Sequence, residues 1–208
     1  MQVQSQLYWP TVYFMKLVHF LTRQHTIIEG ESNLPKSGGC VFAPKHHSNG
    51  DPPKLIQSLK RHIFFMGKIG LFRRTITRFY YLHASVFPVN DKSRRSIIAA
   101  LDFATSLAKE GKVVGIFPEG TKTPGTQLGK IHGGAIKVSR EANVPLVPIG
   151  LAYSDNYHAT FWKPRQRIAI VIGKPILPEE LEDTDHPTLL LEARLNQLMK
   201  RADQLLSR

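Results

Sequence analysis

Short apolar runs alternate with helical stretches along most of this chain, and this alternation constrains its fold more than any other feature. The runs have the length of buried strands, and the stretches between them carry apolar residues three or four positions apart. Strands are predicted at residues 26–30, 41–43, 63–66, 85–89, 112–117, 144–151 and 167–173, and helices near residues 51, 69, 93, 130 and 188. This alternation indicates an α/β fold: a single domain with a mixed, mostly parallel sheet flanked by helices.

An apolar segment precedes this domain. Residues 7–21 are rich in aromatic and aliphatic side chains, interrupted by Lys16 and His19. The run is shorter than the roughly 20 residues of a membrane-spanning helix, and it lacks the basic start and cleavage site of a signal peptide. Two interpretations fit it equally: an amphipathic helix lying at a membrane interface, or a helix packed on its own domain. We divide the chain into a membrane-associating segment, residues 1–24, and a domain, residues 25–208.

The chain carries a large excess of positive charge. Its 28 Lys and Arg residues outnumber 16 Asp and Glu, for a net charge of +12, which favours an anionic partner. Nucleic acid is disfavoured because no recognition element accompanies the charge. Arg73, Arg74 and Arg78 lie among aromatic residues and form either an anion-contacting patch or a solvated helix face. The single Cys40 excludes an internal disulfide, and its apolar surroundings predict a core residue.

A histidine and an aspartate five positions apart form the first motif that carries chemistry. Asp51 precedes Pro52, and we predict Asp51 as the N-cap of a helix with Pro52 as its first residue. Residues five apart on one helix point about 140° away from each other, so His46 meets Asp51 only from a turn before the helix. There the carboxylate would hold the imidazole Nδ1–H and leave Nε2 free to accept a proton. The motif alone leaves a purely structural role open.

A second motif, Phe-Pro-Glu-Gly-Thr at residues 117–121, follows a predicted strand. It nearly spells a phosphate-binding P-loop, but Pro118 lacks an N–H, Glu119 would repel phosphate and Lys122 comes one residue late. Nucleotide hydrolysis is therefore rejected. A serine hydrolase of the Gly-x-Ser-x-Gly type is disfavoured because that elbow is absent. No metal is predicted, since no spaced third or fourth ligand accompanies the first motif.

Together the two motifs resemble those of the glycerolipid acyltransferase family, typified by lysophosphatidate acyltransferases. The pattern His46-x-x-x-x-Asp51 and residues 117–121 have the order, separation and strand placement found in that family. Residues 28–38 look like its lead-in segment, 87–89 like its second motif and 144–149 like its fourth. The likeness runs from about residue 26 to residue 173, and it implies that residues 25–208 form an acyltransferase domain.

The resemblance implies transfer of a fatty acyl group from a thioester, acyl-CoA or acyl carrier protein, to the free hydroxyl of 1-acylglycerol-3-phosphate, with no cofactor. It implies that His46 is the general base and that Asp51 orients it. Direct attack on the thioester agrees with the lack of an activated Ser or Cys. Glu119 would fix its loop or bond a glycerol hydroxyl, and the backbone of the next two residues would approach the acceptor. The implied substrate-binding residues are Glu119, Gly120, Thr121, Lys122, Lys130, Arg94 and Arg95.

The sequence departs from the family pattern at several positions. Lys45 stands where the family usually has Asn, and Asp91 where its second motif commonly ends in Arg. Lys122 replaces a frequent Arg, and His132 falls where Lys is frequent. These departures affect residues that bind the phosphate in the family, so the resemblance specifies the reaction more closely than the acceptor. Another lysolipid acceptor and a non-catalytic membrane-lipid-binding relative remain alternatives.

The expected location follows from the substrates. Both are anionic and the acceptor resides in a bilayer, so the net charge of +12 and the apolar segment have a common explanation. We expect a peripheral or monotopic protein on the cytoplasmic face, bound to an anionic membrane surface.

Overall fold

A computed structural model describes residues 7–73, 75–154 and 163–207 of the chain. The first six residues of the segment 1–24, and Arg74 of the predicted basic patch, lie outside the described residues. The helices are α1 (Tyr8–Leu21), α2 (Asp51–Ser58), α3 (Thr75–His83), α4 (Arg94–Lys109), α5 (Gly134–Ala142), α6 (Pro178–Glu182) and α7 (Pro187–Leu206). The strands are β1 (His25–Glu29), β2 (Cys40–Pro44), β3 (Ile63–Lys68), β4 (Val86–Val89), β5 (Val113–Gly115), β6 (Leu146–Tyr153) and β7 (Arg167–Ile172).

These seven strands form one sheet in the order β1-β7-β6-β2-β5-β3-β4. Among them, β6 and β7 pair antiparallel and the other neighbours pair parallel. The pair β1 and β7 therefore runs opposite to the other five strands. Every residue of β2 and of β6 is buried, as expected for strands covered on both faces. The predicted α/β fold with a mixed, mostly parallel sheet is confirmed.

Helices cover both faces of the sheet because successive strand residues point to opposite sides. On one face, Val41 and Ala43 of β2 pack with residues of α4, α5 and α7. On the other face, Cys40 and Phe42 pack with residues of α1 and α2. Cys40 is fully buried, as predicted, and burial raises the pKa of its thiol to about 12.

Several element boundaries differ from those predicted. The strand β5 ends at Gly115 rather than at residue 117. Ile116 still donates its N–H to the Phe42 carbonyl, after which the chain leaves the sheet at Pro118, which has no N–H to donate. The helix α5 begins at Gly134, four residues later than predicted at residue 130. The predicted cap of α4 is confirmed: the Ser93 side chain accepts the Ser96 N–H at 3.3 Å.

The first helix, α1, packs on the domain through one face and exposes an apolar second face. Its buried side chains are Tyr8, Val12, Met15 and Val18. The Tyr8 hydroxyl donates to the Arg61 carbonyl at 3.2 Å and accepts the Ile63 N–H at 3.0 Å, and its ring stacks on His62. These contacts fix the start of α1 to the start of β3. The exposed apolar side chains are Trp9, Tyr13, Phe14, Leu17, Phe20 and Leu21.

The structure thus shows the packing that one of the two interpretations of residues 7–21 predicted. The other interpretation also stands, since the outer face carries six exposed apolar side chains beside the exposed Lys16. No helix among the described residues combines the length and the apolar character that crossing a bilayer requires.

A buried lysine beneath α1 gives a prediction about alkaline stability. Lys54 of α2 is fully buried and donates to the Gln24 side chain, and burial lowers the pKa of its ammonium to about 8. The unfolded chain, with a lysine pKa of about 10.4, binds more protons between these values, so this group makes stability rise with pH there. The difference in unfolding free energy between wild type and Lys54→Met should therefore grow in favour of wild type from about pH 8 to about 10.4.

Urea unfolding at a series of pH values measures this difference. Tyr8 and Cys40 also titrate at high pH, but they are present in both proteins, so their contribution cancels. The exposed Lys60 supplies the control, because Lys60→Met should give a difference that does not change with pH. A flat difference for Lys54→Met would contradict the prediction.

Candidate active site

A cavity of about 850 Å³ lies at the carboxyl ends of the parallel strands. His46 follows β2, Lys68 ends β3, Asp91 follows β4 and Phe117 follows β5, and all four side chains line it. Ligands of open α/β sheets bind in this position, outside the carboxyl ends of the strands. The sheet order places β2 in the middle, so His46 follows the central strand of the sheet.

The structure brings His46 and Asp51 into contact across the turn between β2 and α2. The Nδ1 atom of His46 lies 2.7 Å from Oδ2 of Asp51, the geometry that the spacing required. The prediction that Asp51 is the helix N-cap is wrong. Asp51 is the first residue of α2, Gly50 precedes it, and no side-chain bond caps the helix. The carboxylate instead points back toward the turn, where other donors engage it.

The Asp51 carboxylate is fully buried and well supplied with donors. Its Oδ2 accepts the backbone N–H groups of His47 at 2.7 Å and Ser48 at 2.8 Å, besides His46 Nδ1. Its Oδ1 accepts the Tyr153 hydroxyl at 2.8 Å. A buried carboxylate needs such partners to remain ionised at low cost. These donors also fix the direction from which Asp51 meets the imidazole.

The His46 ring is held in one plane, with one nitrogen available to a substrate. It stacks on Phe117 with ring centroids 3.9 Å apart, and Phe117 in turn stacks on Phe65 at 5.6 Å. The carboxylate at Nδ1 only accepts hydrogen bonds, so the neutral ring carries its proton there and has a lone pair at Nε2. This tautomer is the one that a general base requires.

The neighbouring His47 has a different environment. Its Nε2–H donates a hydrogen bond to the Leu151 carbonyl at 2.7 Å, and burial lowers the pKa of the ring. This residue therefore stays neutral and ties the turn to β6. It is a structural histidine. Within the described residues no cluster of His, Cys, Asp or Glu is placed to hold a metal ion.

The contact from Tyr153 was missed by the sequence reasoning. Tyr153 is the last residue of β6 and lies 102 positions after Asp51. Only the pairing of β2 with β6, in which Pro44 aligns with Ile149, brings the two together. Burial, and to a lesser extent the nearby Asp51 charge, raises the pKa of the Tyr153 phenol well above its usual value, so the hydroxyl remains a hydrogen-bond donor.

Removing this hydroxyl should loosen Asp51. We expect Tyr153→Phe to lower the unfolding free energy by about 1.5–3 kcal/mol, the contribution of a hydrogen bond to a charged group, and to lower kcat by about tenfold for a reaction in which His46 is the base. Tyr8→Phe is the matched control because it removes another buried hydroxyl, one that lies on α1. It should cost stability without lowering kcat. Equal kcat in wild type and Tyr153→Phe would contradict the prediction.

The Glu119 carboxylate joins the second motif to the first. Its Oε1 accepts the backbone N–H of His46 at 2.9 Å, and its Oε2 accepts the Gly129 N–H at 2.7 Å. Lys45 Nζ lies 2.7 Å from the same Oε2, and both side chains are fully buried. Glu119 was predicted either to fix its loop or to bond a glycerol hydroxyl. These contacts show that it fixes the loop.

The other predicted binding residues divide into two groups. Gly120, Thr121 and Lys122 line the cavity together with His132. Gly120 has φ +62°, a left-handed conformation that glycine adopts without strain. The second group consists of residues exposed outside the cavity lining: Arg94, Arg95 and Lys130.

A cation that the sequence reasoning missed also lines the cavity. Lys68 ends β3 and forms an ion pair with Asp91 at 2.7 Å. The hydrogen bond from Lys68 lowers the pKa of the Asp91 carboxyl. A lysine two residues after the predicted strand 63–66 was the available signal, since the carboxyl end of a parallel strand faces the ligand site.

The inner wall of the cavity is apolar. It is formed by side chains from β3, β4, α4 and the residue after β5, namely Phe65, Val86, Val89, Ile97, Leu101 and Ile116. The cavity thus combines an apolar wall with a base and cations. This combination suits a molecule with a long apolar chain and an anionic group.

Comparisons with known proteins agree with this arrangement. Residues 25–152 match the family model described as Acyltransferase. A 1-acyl-sn-glycerol-3-phosphate acyltransferase of Borreliella burgdorferi is 27% identical over 143 residues, which cover 69% of this chain and 57% of that protein. A protein of the same name from Bacillus subtilis is 27% identical over 186 residues, 86% of this chain and 90% of its own length. The chain spans little more than half the length of the Borreliella relative.

A solved structure shares the fold. The crystal structure of the 1-acyl-sn-glycerophosphate acyltransferase from Thermotoga maritima aligns with a TM-score of 0.76 and 18% sequence identity. The alignment covers 97% of this chain and 80% of the other. At that identity the likeness concerns the fold alone.

Proposed function

The chain belongs to the acyltransferase family, and on that premise we propose that it moves a fatty acyl group from a thioester donor to the free hydroxyl of 1-acylglycerol-3-phosphate, giving phosphatidate. The observation that carries the proposal is the His46–Asp51 pair, with its contact of 2.7 Å at the end of β2, facing a cavity of about 850 Å³. A general base acts on a proton donor within hydrogen-bond reach, and the free hydroxyl of a lysolipid is such a donor. The apolar wall of the cavity suits the fatty acyl chain of the substrate.

His46 begins the reaction as a general base. Its Nε2 takes the proton of the acceptor hydroxyl while the oxygen attacks the thioester carbonyl, and Asp51 stabilises the imidazolium that forms. The carbon–oxygen bond forms first. The carbon–sulfur bond of the tetrahedral intermediate then breaks, and the leaving sulfur takes the proton back from Nε2. No covalent acyl-enzyme is needed.

The cationic residues of the cavity suit the acceptor phosphate. Lys122 lies in the lining on the loop that carries Gly120 and Thr121, and Lys68 lies at the end of β3. Lysine binds phosphate as a point charge, without the two-pronged geometry of arginine. Lys68 would exchange its ion pair with Asp91 for the phosphate. Arg94, Arg95 and Lys130, which lie outside the lining, are proposed only to attract anionic substrates by long-range charge.

Acyl transfer to a panel of lysolipids tests the proposal. The donors are labelled acyl-CoA and labelled acyl carrier protein, and the acceptors include lysophosphatidate and lysolipids with other headgroups. Transfer to lysophosphatidate supports the proposal. Transfer only to another lysolipid keeps the chemistry and reassigns the acceptor. No transfer by folded, vesicle-bound protein would favour a non-catalytic membrane-lipid-binding protein.

We also propose that the protein binds the cytoplasmic face of an anionic membrane through α1. The strand β1 follows α1 and runs opposite to β2, so α1 ends near the cavity end of the sheet. Phe20 and Leu21, both strongly exposed, lie at that end. An apolar face there, in a chain of net charge +12, suits contact with lipid chains and anionic headgroups.

Substituting the outer face of α1 should weaken membrane binding without disturbing its packing. Phe20 is 77% exposed, and burying such a side chain contributes about 1.5–3 kcal/mol, so Phe20→Ser should lower partition onto anionic vesicles by about tenfold or more. Leu189 of α7, 57% exposed, provides the control. Leu189→Ser should leave vesicle binding unchanged. Equal binding by wild type and Phe20→Ser would contradict the proposal, and vesicle sedimentation measures it.

A further inference from the structure

We propose that Lys45 is a positioning residue of the active site, which holds the loop of residues 119–129 and the backbone of His46 together through the Glu119 carboxylate. Its kinetic consequence rests on the function proposed above, whereas the structural consequence does not. Lys45 follows β2 directly and precedes the base.

The buried position of Lys45 requires a polar partner. Its side chain is fully buried, an environment that lysine almost never occupies without a partner. The ammonium lies 2.7 Å from Glu119 Oε2 and donates to the Thr123 carbonyl at 2.6 Å. It is not among the residues that line the cavity. Lys45 therefore acts on the loop and not on a substrate.

Glu119 carries the effect of Lys45 to the base. Oε1 of Glu119 accepts the His46 backbone N–H at 2.9 Å, and the His46 carbonyl accepts the Thr123 N–H at 2.8 Å. Both polar groups of the His46 backbone are thus bonded to the loop. The ring position consequently depends on the place of the loop, and the loop depends on a buried ion pair.

Gly129, at the far end of the loop, also contacts the Glu119 carboxylate. Gly129 donates its N–H to Glu119 Oε2 at 2.7 Å. A Cβ atom added to Gly129 would lie 2.6 Å from Thr123 Oγ1 and 3.1 Å from Glu119 Oε2, so a side chain there would displace the Thr123 hydroxyl and crowd the Glu119 carboxylate. Between these anchors the loop carries Gly120, Thr121 and Lys122, which line the cavity beside His46. Lys45 thereby sets the distance between the base and the wall that faces it.

This arrangement predicts that Lys45 and Glu119 act as one unit. Removing one member of a buried ion pair leaves an uncompensated charge, whereas removing the second then costs little more. We therefore compare Lys45→Met, Glu119→Gln and the double variant. Lys137→Met is the matched control because it removes an ammonium from the exposed ion pair with Glu141, 2.6 Å apart on α5.

The structural measurement is the rate of trypsin cleavage after Lys122, which is exposed on the loop. We expect Lys45→Met to be cleaved there about tenfold faster or more than wild type, the fold-change that the loss of a charge-assisted hydrogen bond gives. The double variant should be cleaved at nearly the rate of Lys45→Met, and Lys137→Met at the rate of wild type. Unchanged cleavage in Lys45→Met, or additive effects of the two single changes, would overturn the proposal.

The kinetic measurement separates positioning from general loss of structure. In Lys45→Met, kcat for acyl transfer should fall about tenfold or more, with KM for the acyl donor changed far less, since the base is displaced while the apolar wall remains. The double variant should show the same fall in kcat as Lys45→Met. A fall in active fraction with kcat per active site unchanged would overturn the proposal. If wild type transfers no acyl group, the proposed function fails and the cleavage rates still decide the role of Lys45.

A second, milder variant tests the proposal if Lys45→Met does not fold. Gly129→Ala leaves Lys45 and Glu119 in place and crowds the Glu119 carboxylate and the Thr123 side chain. It should raise cleavage after Lys122 and lower kcat in the same direction as Lys45→Met. Wild-type values of both quantities in Gly129→Ala would overturn the proposal.

Discussion

Replacing His46 with alanine is expected to lower kcat for acyl transfer by about 10²–10⁴-fold, the usual contribution of a general base. The ring faces the cavity, and its Nε2 is the nitrogen that Asp51 leaves available. The fold should survive, because the Asp51 carboxylate keeps its bonds from the two backbone N–H groups and from Tyr153. The measurement is kcat with a labelled thioester, beside a thermal unfolding curve.

The control for this experiment is another histidine. His25 is exposed on β1, an edge strand of the sheet, and does not line the cavity. His25→Ala should retain wild-type kcat. If His46→Ala were fully folded and kept kcat within about tenfold of wild type, His46 would not be the base.

Replacing Asp51 with asparagine should give the second-largest loss. The amide oxygen of Asn can occupy the Oδ2 position and accept from His46, so the required tautomer is preserved while the negative charge is removed. A hydrogen bond to a charged partner contributes about 1.5–3 kcal/mol, so kcat should fall about ten- to a hundredfold. The amide NH₂ would then face Tyr153, whose hydroxyl can turn and accept from it.

Alanine at the same position separates charge from structure. Asp51→Ala leaves the buried donors at His47, Ser48 and Tyr153 without their acceptor, and each unsatisfied group costs about 1–3 kcal/mol. We expect a large loss of thermal stability in Asp51→Ala and a small one in Asp51→Asn. Nitrogen chemical shifts of His46 report the tautomer in both. Wild-type kcat in Asp51→Asn would show that the carboxylate charge plays no part.

Sequence reasoning reached the fold because buried parallel strands leave a local signal. Strands covered on both faces read as continuous apolar runs, and β2 and β6 are such runs. The meeting of His46 with Asp51 was also predictable, since it depends on five residues of local chain and the helix period. The assignment of Asp51 as N-cap failed because its carboxylate is engaged by donors outside the helix, among them Tyr153.

Contacts between distant parts of the chain left no such signal. Lys45 and Glu119 are 74 positions apart and meet only because β2 and β5 are neighbours in the sheet. Local periodicity likewise does not say which face of a helix borders a cavity. Arg94 and Arg95 begin α4, whose Ile97 lines the cavity, yet they lie outside its lining. Their part in substrate binding therefore stays a prediction, in the form of the long-range attraction of anionic substrates proposed above.

The set of donors around Asp51 bears on the energetics of proton transfer. In the proposed reaction His46 takes up a proton, and charge then appears beside a carboxylate whose hydrogen-bond partners are already in place: two backbone amides and a phenol. These dipoles need not rotate as the charge develops, whereas water around an exposed carboxylate would have to. The site thus keeps the reorganisation energy of the transfer low, and it does so with groups that folding alone has oriented.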